Sequence, residues 1–260
     1  NNVITTIDLD LQNLVEDLYK DKKGAVIVSK PKTGEVLVYV SSPDYNPDLF
    51  TGLVSNKDWQ TVVSDPDRPL LNRVSNGLYP PGSIYKMIVA IELLERSLID
   101  ENWQVLCNGE YEFFESTHKC TGSHGYVNLN DAMTMSCNIF FYEAVQKIRL
   151  DNLAKRSKDL FHGLPTGIDL PNEMKGRVPD RAYMNKLYGT DGWSTGALLN
   201  ISIGQGEVLV TPIQMIAYVN TIATSGNYNP IYIVKNKGGS AISTTISQST
   251  WKKINDYMKN

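Results

Sequence analysis

The sequence predicts an α/β fold, antiparallel strands flanked by helices, and three observations carry that prediction. Two β-branched runs at 24–29 and 35–41 are separated by Lys30, Pro31, Lys32, Thr33 and Gly34, the pattern of a hairpin. Ile84, Met87, Ile88, Ile91, Leu94 and Leu98 recur at helical spacing, with Val89, Ala90 and Leu93 widening the stripe to that of a helix buried on most sides. The chain has 260 residues, 42% hydrophobic and 20% charged, the balance of a globular protein able to bury a sizeable core.

The chain opens on a β-like run, Thr5 to Gln12, that turns into an amphipathic helix with Leu11, Leu14, Val15 and Leu18 on one face. Beyond the hairpin, residues 43–76 are rich in Pro, Asp, Asn and Ser around a lone Trp59 and read as a surface excursion. Tyr79, Pro80, Pro81 and Gly82 are poor helix formers, so the buried helix begins abruptly near Ser83. Residues 102–126 are loop-like and hold Cys107, His118, Cys120 and His124. Asn128 is placed to cap a short helix at 129–135, after which Ser136, Cys137 and Asn138 lead into an aromatic-rich helix at 139–148. A loop-rich stretch at 162–191 carries no clear chemistry. Ile-Ser-Ile-Gly-Gln-Gly at 201–206 then leads through Thr211 and Pro212 into an apolar helix at 213–223, with proline near its first turn. The tail, 231–260, holds one short strand and one short helix candidate.

Ser83 and Lys86 lie one turn apart on the same side of the buried helix, within reach of each other. A serine hydroxyl is a weak nucleophile, and a lysine whose ammonium is desolvated can lose its proton and serve as its base. The first N–H groups of the helix are free to bind an oxyanion, so the site is suited to acyl transfer. Ser-x-x-Lys also occurs at Ser29, Ser116 and Ser249, where a capping serine and a solvated lysine explain it; only Ser83 joins it to a Pro-Pro-Gly approach and a buried helix.

Net charge of -3 leaves no footprint for nucleic acid. No stretch approaches the roughly 18 to 20 apolar residues of a membrane span. The start at Asn1 without methionine is that of an excised fragment, so this absence says little about an anchor in the natural protein.

Ser83-Ile84-Tyr85-Lys86 after Tyr-Pro-Pro-Gly, followed by Ser136-Cys137-Asn138, resembles the first two of three active-site motifs of the penicillin-binding proteins. The resemblance runs along nearly the whole chain, through Thr-Thr-Ile-Asp-Leu-Asp-Leu-Gln, the Pro-Lys-Thr-Gly-Glu hairpin, and Ile-Gly-Gln-Gly with Thr-Pro-Ile-Gln. It is strongest with the class B, monofunctional transpeptidases of cell elongation. It implies the penicillin-binding protein and serine β-lactamase-like transpeptidase fold, spread over one domain, 1–260. Ser83 would attack the bond between two D-alanines of a peptidoglycan stem peptide and form an acyl-enzyme, with Lys86 taking its proton. Ser136 would relay protons with Lys86, and Asn138 would hydrogen-bond the substrate's amide. β-Lactams would acylate Ser83. The resemblance further implies an elongation scaffold protein and a glycan polymerase as partners, and a periplasmic domain on an inner-membrane anchor that is not in this chain.

The family's third motif, Lys-Ser/Thr-Gly, is not where the resemblance puts it, shortly after the region 251–260. Lys32-Thr33-Gly34 is the one literal copy and lies in the hairpin turn. The expectation is therefore a chain lacking its C-terminal strands and third motif, whose natural form continues past Asn260. Two other functions stay open: a serine β-lactamase, and a non-catalytic β-lactam sensor or scaffold module. Gly-Gln-Gly, Thr-Pro-Ile-Gln and Cys137 favour the transpeptidase over the first, and the missing motif supports the second.

Catalysis requires no cofactor, but Cys107, Cys120, His124 and Cys137 have the spacing C-x12-C-x3-H-x12-C, a donor set that zinc favours in a closed structural site. Some relatives hold zinc in this region with a different mix of ligands. Cys137 would point away from Ser136 and Asn138, so a metal would brace the second motif from behind. A Cys107 to Cys120 disulfide with Cys137 as a core residue, or three free thiols, are the alternatives. His118 could replace His124, although an exposed loop histidine is the simpler reading.

Overall fold

The computed structural model describes residues 2–100, 102–190, 192–193 and 195–259; Asn1 and Asn260, the ends of the expected domain, lie outside them. Helix α1 (Leu9–Tyr19) starts on the Asp8 side chain, which accepts from the Leu11 N–H, and lies against the hairpin β1 (Gly24–Ser29) and β2 (Val36–Ser42). The Gln12 amide pairs with both backbone groups of Tyr39. No α1 residue is buried, and Leu14 and Leu18 of its apolar face are exposed. The hairpin is antiparallel, with Val36, Val38 and Val40 of β2 pointing inward as period-2 burial requires. In its turn, a Cβ on Gly34 would lie 2.2 Å from the Pro230 carbonyl oxygen. The Lys-Thr-Gly copy is thus a turn glycine that lets residues 230–232 come alongside, with the Val36 N–H donating to Tyr232 O at 3.0 Å.

The surface excursion folds further than its composition suggests, into a 3-10 turn, Pro47–Phe50, and helix α2 (Asn56–Val63), joined by edge-on packing of Phe50 on Tyr45 and Trp59. A 3-10 turn, Gly82–Tyr85, then feeds helix α3 (Lys86–Glu95), whose residues from Lys86 to Leu93 are all buried. The predicted stripe begins one turn later than expected: Ile84, on the 3-10 turn, is 44% exposed.

The expected loop at 102–126 contains four short strands, β3 (Val105–Cys107), β4 (Glu110–Phe113), β5 (Ser116–Lys119) and β6 (Gly125–Val127), paired antiparallel as β3 with β6 and β4 with β5. Asn128 caps α4 (Leu129–Thr134) by accepting from Asp131, and α5 (Asn138–Val145) and α6 (Leu150–Asp159) complete the wall around α3. Within the stretch read as loop, Asp180 caps α7 (Arg181–Tyr188), followed by α8 (Thr195–Ser202). Helix α9 (Pro212–Ala223) opens on a reciprocal capping box between Thr211 and Gln214, with proline at its first position. The small pair β7 (Asn227–Tyr228) and β8 (Ile242–Ser243) and helix α10 (Gln248–Tyr257) end the chain.

The main core surrounds α3 and α5, and a smaller one fills the space between the hairpin and α9 through Val36, Ile213, Ala217, Tyr228 and Ile231. Helix α3 therefore runs through the centre of the molecule, and the 3-10 turn that precedes it brings Ser83 and Ile84 to the surface.

Candidate active site

Ser83 is exposed on the 3-10 turn, and its hydroxyl has no hydrogen-bond partner among the described residues. The turn is fixed by backbone on the side of residues 204–210. Tyr79 and Val210 exchange both backbone hydrogen bonds at 2.9 Å, and the Gly82 N–H donates to Gly204 O at 2.9 Å.

Lys86 is 2% exposed. Its Nζ donates to Asn138 Oδ1 at 2.6 Å, to the Ser136 carbonyl at 2.7 Å and to Ser136 Oγ at 2.9 Å, and it sits 5.6 Å from the centre of the Phe141 ring. All three hydrogen bonds run to the second motif and none to Ser83. The reach to Ser83 suggested by spacing is thus replaced by a longer-range contact across the core, because α3 begins only at Lys86 and turns its side chain toward α5. Burial pulls the lysine down to about 8, against an opposing pull from the nearby Cys120 and Cys137 sulfurs.

The second motif is built from a helix ending. The Ser136 N–H donates to Met133 O at 3.3 Å and the Cys137 N–H to Ala132 O at 2.9 Å, the paired bonds of a Schellman ending. Ser136 holds the position glycine usually takes, at φ 52. A side chain there costs about 1 kcal/mol or more, and strain of this kind persists where the side chain is needed. Cys137 then occupies the position before α5 with its thiol buried and no side-chain cap bond, and Asn138 begins the helix.

Asn138 is more fully engaged than its expected role suggests. Oδ1 accepts from Lys86 while Nδ2 donates to Lys119 O at 3.2 Å, leaving one amide proton for a substrate carbonyl. The Lys119 carbonyl, a backbone partner with no signature in the residue pattern, sets the plane of this amide.

Behind the motif, the ligand atoms of Cys107, Cys120, His124 and Cys137 all lie within 4.8 Å of one another. His124 Nδ1 is 3.3 Å from Cys107 Sγ and 3.6 Å from Cys120 Sγ, and the Cys120 and Cys137 sulfurs are 3.9 Å apart. The three cysteines are free thiols, so the Cys107 to Cys120 disulfide is absent. His118 stands outside the cluster with its ring against Tyr142. Burial pushes the Cys120 thiol up, but hydrogen bonds from the Ile139, Gly122 and Asn138 backbone outweigh it and leave the thiol at about 6. The Asn138 N–H, 3.2 Å from Cys120 Sγ, ties the cluster directly to the second motif.

A buried helix bearing Ser-x-x-Lys, with its lysine held by Ser-x-Asn, defines the penicillin-recognising class of serine enzymes. The chain belongs to the penicillin binding protein transpeptidase domain family, which matches residues 24–260. Within that family its likeness runs to the penicillin-binding protein 2 branch. It is 34% identical over 235 residues to the peptidoglycan D,D-transpeptidase MrdA of Haemophilus influenzae, covering 88% of this chain and 36% of that protein. Penicillin-binding protein 2 from Helicobacter pylori superimposes with a TM-score of 0.90 at 34% identity, over 99% of this chain and 49% of the other. The same H. pylori protein in complex with MreC gives 0.91, covering 97% and 48%. The chain thus spans about a third of the length of its curated relatives and about half of the solved ones.

Proposed function

We propose that this chain carries the acyl-transfer site of a peptidoglycan D,D-transpeptidase of cell-wall elongation. The observation that supports it most is the Lys86 ammonium held at 2.6 to 2.9 Å by Asn138 and Ser136, next to an exposed Ser83 whose hydroxyl has no partner among the described residues. Neutral Lys86, or Ser136 acting for it, takes the Ser83 proton as Oγ attacks the carbonyl between two D-alanines. The C–N bond breaks, the terminal D-alanine leaves as the amine with that proton, and the acyl group stays on Ser83. An amino group of a neighbouring stem peptide then displaces Oγ to form the cross-link. A β-lactam ring opens onto the same oxygen and stays there.

The cysteines and His124 fit a structural zinc. Tetrahedral bonds of about 2.3 Å place ligands about 3.8 Å apart, close to the 3.9 Å between the Cys120 and Cys137 sulfurs. Bound there, zinc would supply only rigidity: it would hold Cys120 and Cys137, and through the Asn138 N–H the start of α5, in one arrangement.

The reaction belongs to the periplasmic face of the inner membrane, where stem peptides lie, with the rest of the protein as its anchor. A MreC-like scaffold is the expected partner, in parallel with the H. pylori complex, together with a glycan polymerase. The deciding experiment is intact-protein and peptide mass spectrometry after incubation with a labelled penicillin. An adduct on the Ser83 peptide that is lost in Ser83→Ala supports acyl transfer; a folded chain that never acquires one, even when extended at its C-terminus through the family's third motif, overturns it in favour of a non-catalytic module.

A further inference from the structure

The Ser83 turn is held from inside by a cluster of edge-on rings that takes no part in the proton transfers. Tyr85, between Ser83 and Lys86 in sequence, is fully buried, with its hydroxyl 2.6 Å from Ser157 Oγ on α6. Ser157 Oγ donates its one proton to Leu153 O at 2.8 Å, so the Tyr85 O–H is the donor to Ser157. From the other side, the buried Tyr218 on α9 donates to the Ile84 carbonyl at 3.2 Å. Between the two tyrosines stands His162, also fully buried. Its ring meets Tyr218 edge-on at 4.8 Å and 76°, and Tyr85 at 5.9 Å and 82°. Its backbone N–H donates to Ser157 O at 2.9 Å, so this ring and the Tyr85 hydroxyl are anchored on one residue.

The imidazole is a neutral spacer. Nδ1 lies 3.1 Å from Leu160 O, which can only accept, so Nδ1 carries the proton. Nε2 is buried without a partner, and a second proton there would meet no acceptor. Burial accordingly holds the ring well below the usual histidine range, at about 4.

We propose that His162 is a positioning residue for the nucleophile. Its ring keeps Tyr85 and Tyr218 apart so that each hydroxyl reaches its anchor, and this spacing sets Ser83 relative to Lys86. None of these groups touches substrate. The inference rests on the acyl-transfer reading for its effect on rate.

Its test separates positioning from packing by measuring the acylation rate constant and the non-covalent affinity for a labelled penicillin separately, on the folded chain. His162→Ala should slow acylation by roughly tenfold or more with affinity nearly unchanged, since small displacements of reacting groups act on the chemical step. His162→Phe keeps the ring and should stay within about threefold of the parent, while Tyr218→Phe, which loses only the hydroxyl, should slow acylation by about threefold. Acylation by His162→Ala at the parental rate, an effect on affinity alone, or equal losses in His162→Ala and His162→Phe would each overturn the proposal. If His162→Ala does not fold, Tyr218→Phe decides it, and a parental rate there rejects the role. If the parent chain is never acylated, even when extended through the third motif, the acyl-transfer reading fails instead. Amide hydrogen exchange then tests the spacing by itself: loss of protection centred on residues 84–88 in the variants supports it, and a uniform loss or none overturns it.

Discussion

The Gly82 N–H donates to the Gly204 carbonyl at 2.9 Å, and a Cβ on Gly204 would lie 2.2 Å from the Gly82 carbonyl oxygen. The residue before the nucleophile therefore touches the Ile-Gly-Gln-Gly segment backbone to backbone. Gly204 also sits at φ +69, where other residues are strained. Gly204→Ala should cost about 2 to 4 kcal/mol of stability, from strain together with the clash. The chain can relieve that clash only by moving the Ser83 turn, so penicillin acylation should fall by roughly tenfold or more. Thermal melts and acylation time courses on the same sample check both, and an unchanged rate would mean that the turn is not set by this contact.

Ser136 carries its side chain at a backbone position that glycine would occupy without strain, at φ 52. Ser136→Gly should therefore be about 1 kcal/mol more stable than Ser136→Ala, which loses the same hydroxyl, through relief of the left-handed conformation. It removes the Oγ that accepts from Lys86 at 2.9 Å, so acylation should drop by roughly a hundredfold or more. Ser136→Ala, which keeps the strain, should lose activity without gaining stability. A Ser136→Gly variant no more stable than Ser136→Ala would remove the strain argument.

Much of this arrangement was legible in the sequence because local chemistry fixes it. The Pro-Pro-Gly approach, the Asn128 cap and proline at the start of α9 each act within a few residues, and each holds in the structure. The strands β3 to β6 were not legible, being three or four residues long and mostly solvent-facing, too short to show an alternation. Helix α7 was hidden because one buried residue, Met184, leaves little of a stripe. Lys86 is the more instructive case. Its spacing from Ser83 is local, but its actual partners lie 50 and 52 residues away, and burial rather than helical periodicity directs it there. His162 gave no signal at all, since a buried histidine at the end of a helix has no pattern of its own.

A structural zinc has consequences beyond metal content. Chain purified without chelator should hold one zinc, and Cys107→Ser, Cys120→Ser or Cys137→Ser should each lose it. Because the cluster joins β3, the segment after β5 and the start of α5, its loss should lower the melting temperature by about 5 °C or more. Acylation should weaken together with it, since the Asn138 N–H bonds Cys120 Sγ. Substoichiometric zinc in such protein, or an unchanged melting temperature in all three variants, would reject the site.

The pH dependence of acylation follows from the burial of Lys86. Burial lowers it from the ordinary 10.5 to about 8, so at neutral pH the base is still mostly protonated. The acylation rate should rise about tenfold per pH unit on the acid side and level off near 8, as the neutral amine accumulates. The same shift affects stability. The unfolded chain binds the lysine proton up to about 10.5, whereas the folded chain has released it above about 8, so this residue's contribution rises with pH between those values and is flat below them. Asn138→Asp would place a carboxylate where Oδ1 now stands, 2.6 Å from the ammonium, and favour the charged form. The midpoint of the rate profile should then move above 8 by about one unit or more. Acylation profiles of the parent and of Asn138→Asp, restricted to the pH range in which circular dichroism reports the fold intact, test this. A flat parental profile, or a midpoint that stays in place in Asn138→Asp, would mean that Lys86 is not the group whose proton limits acylation.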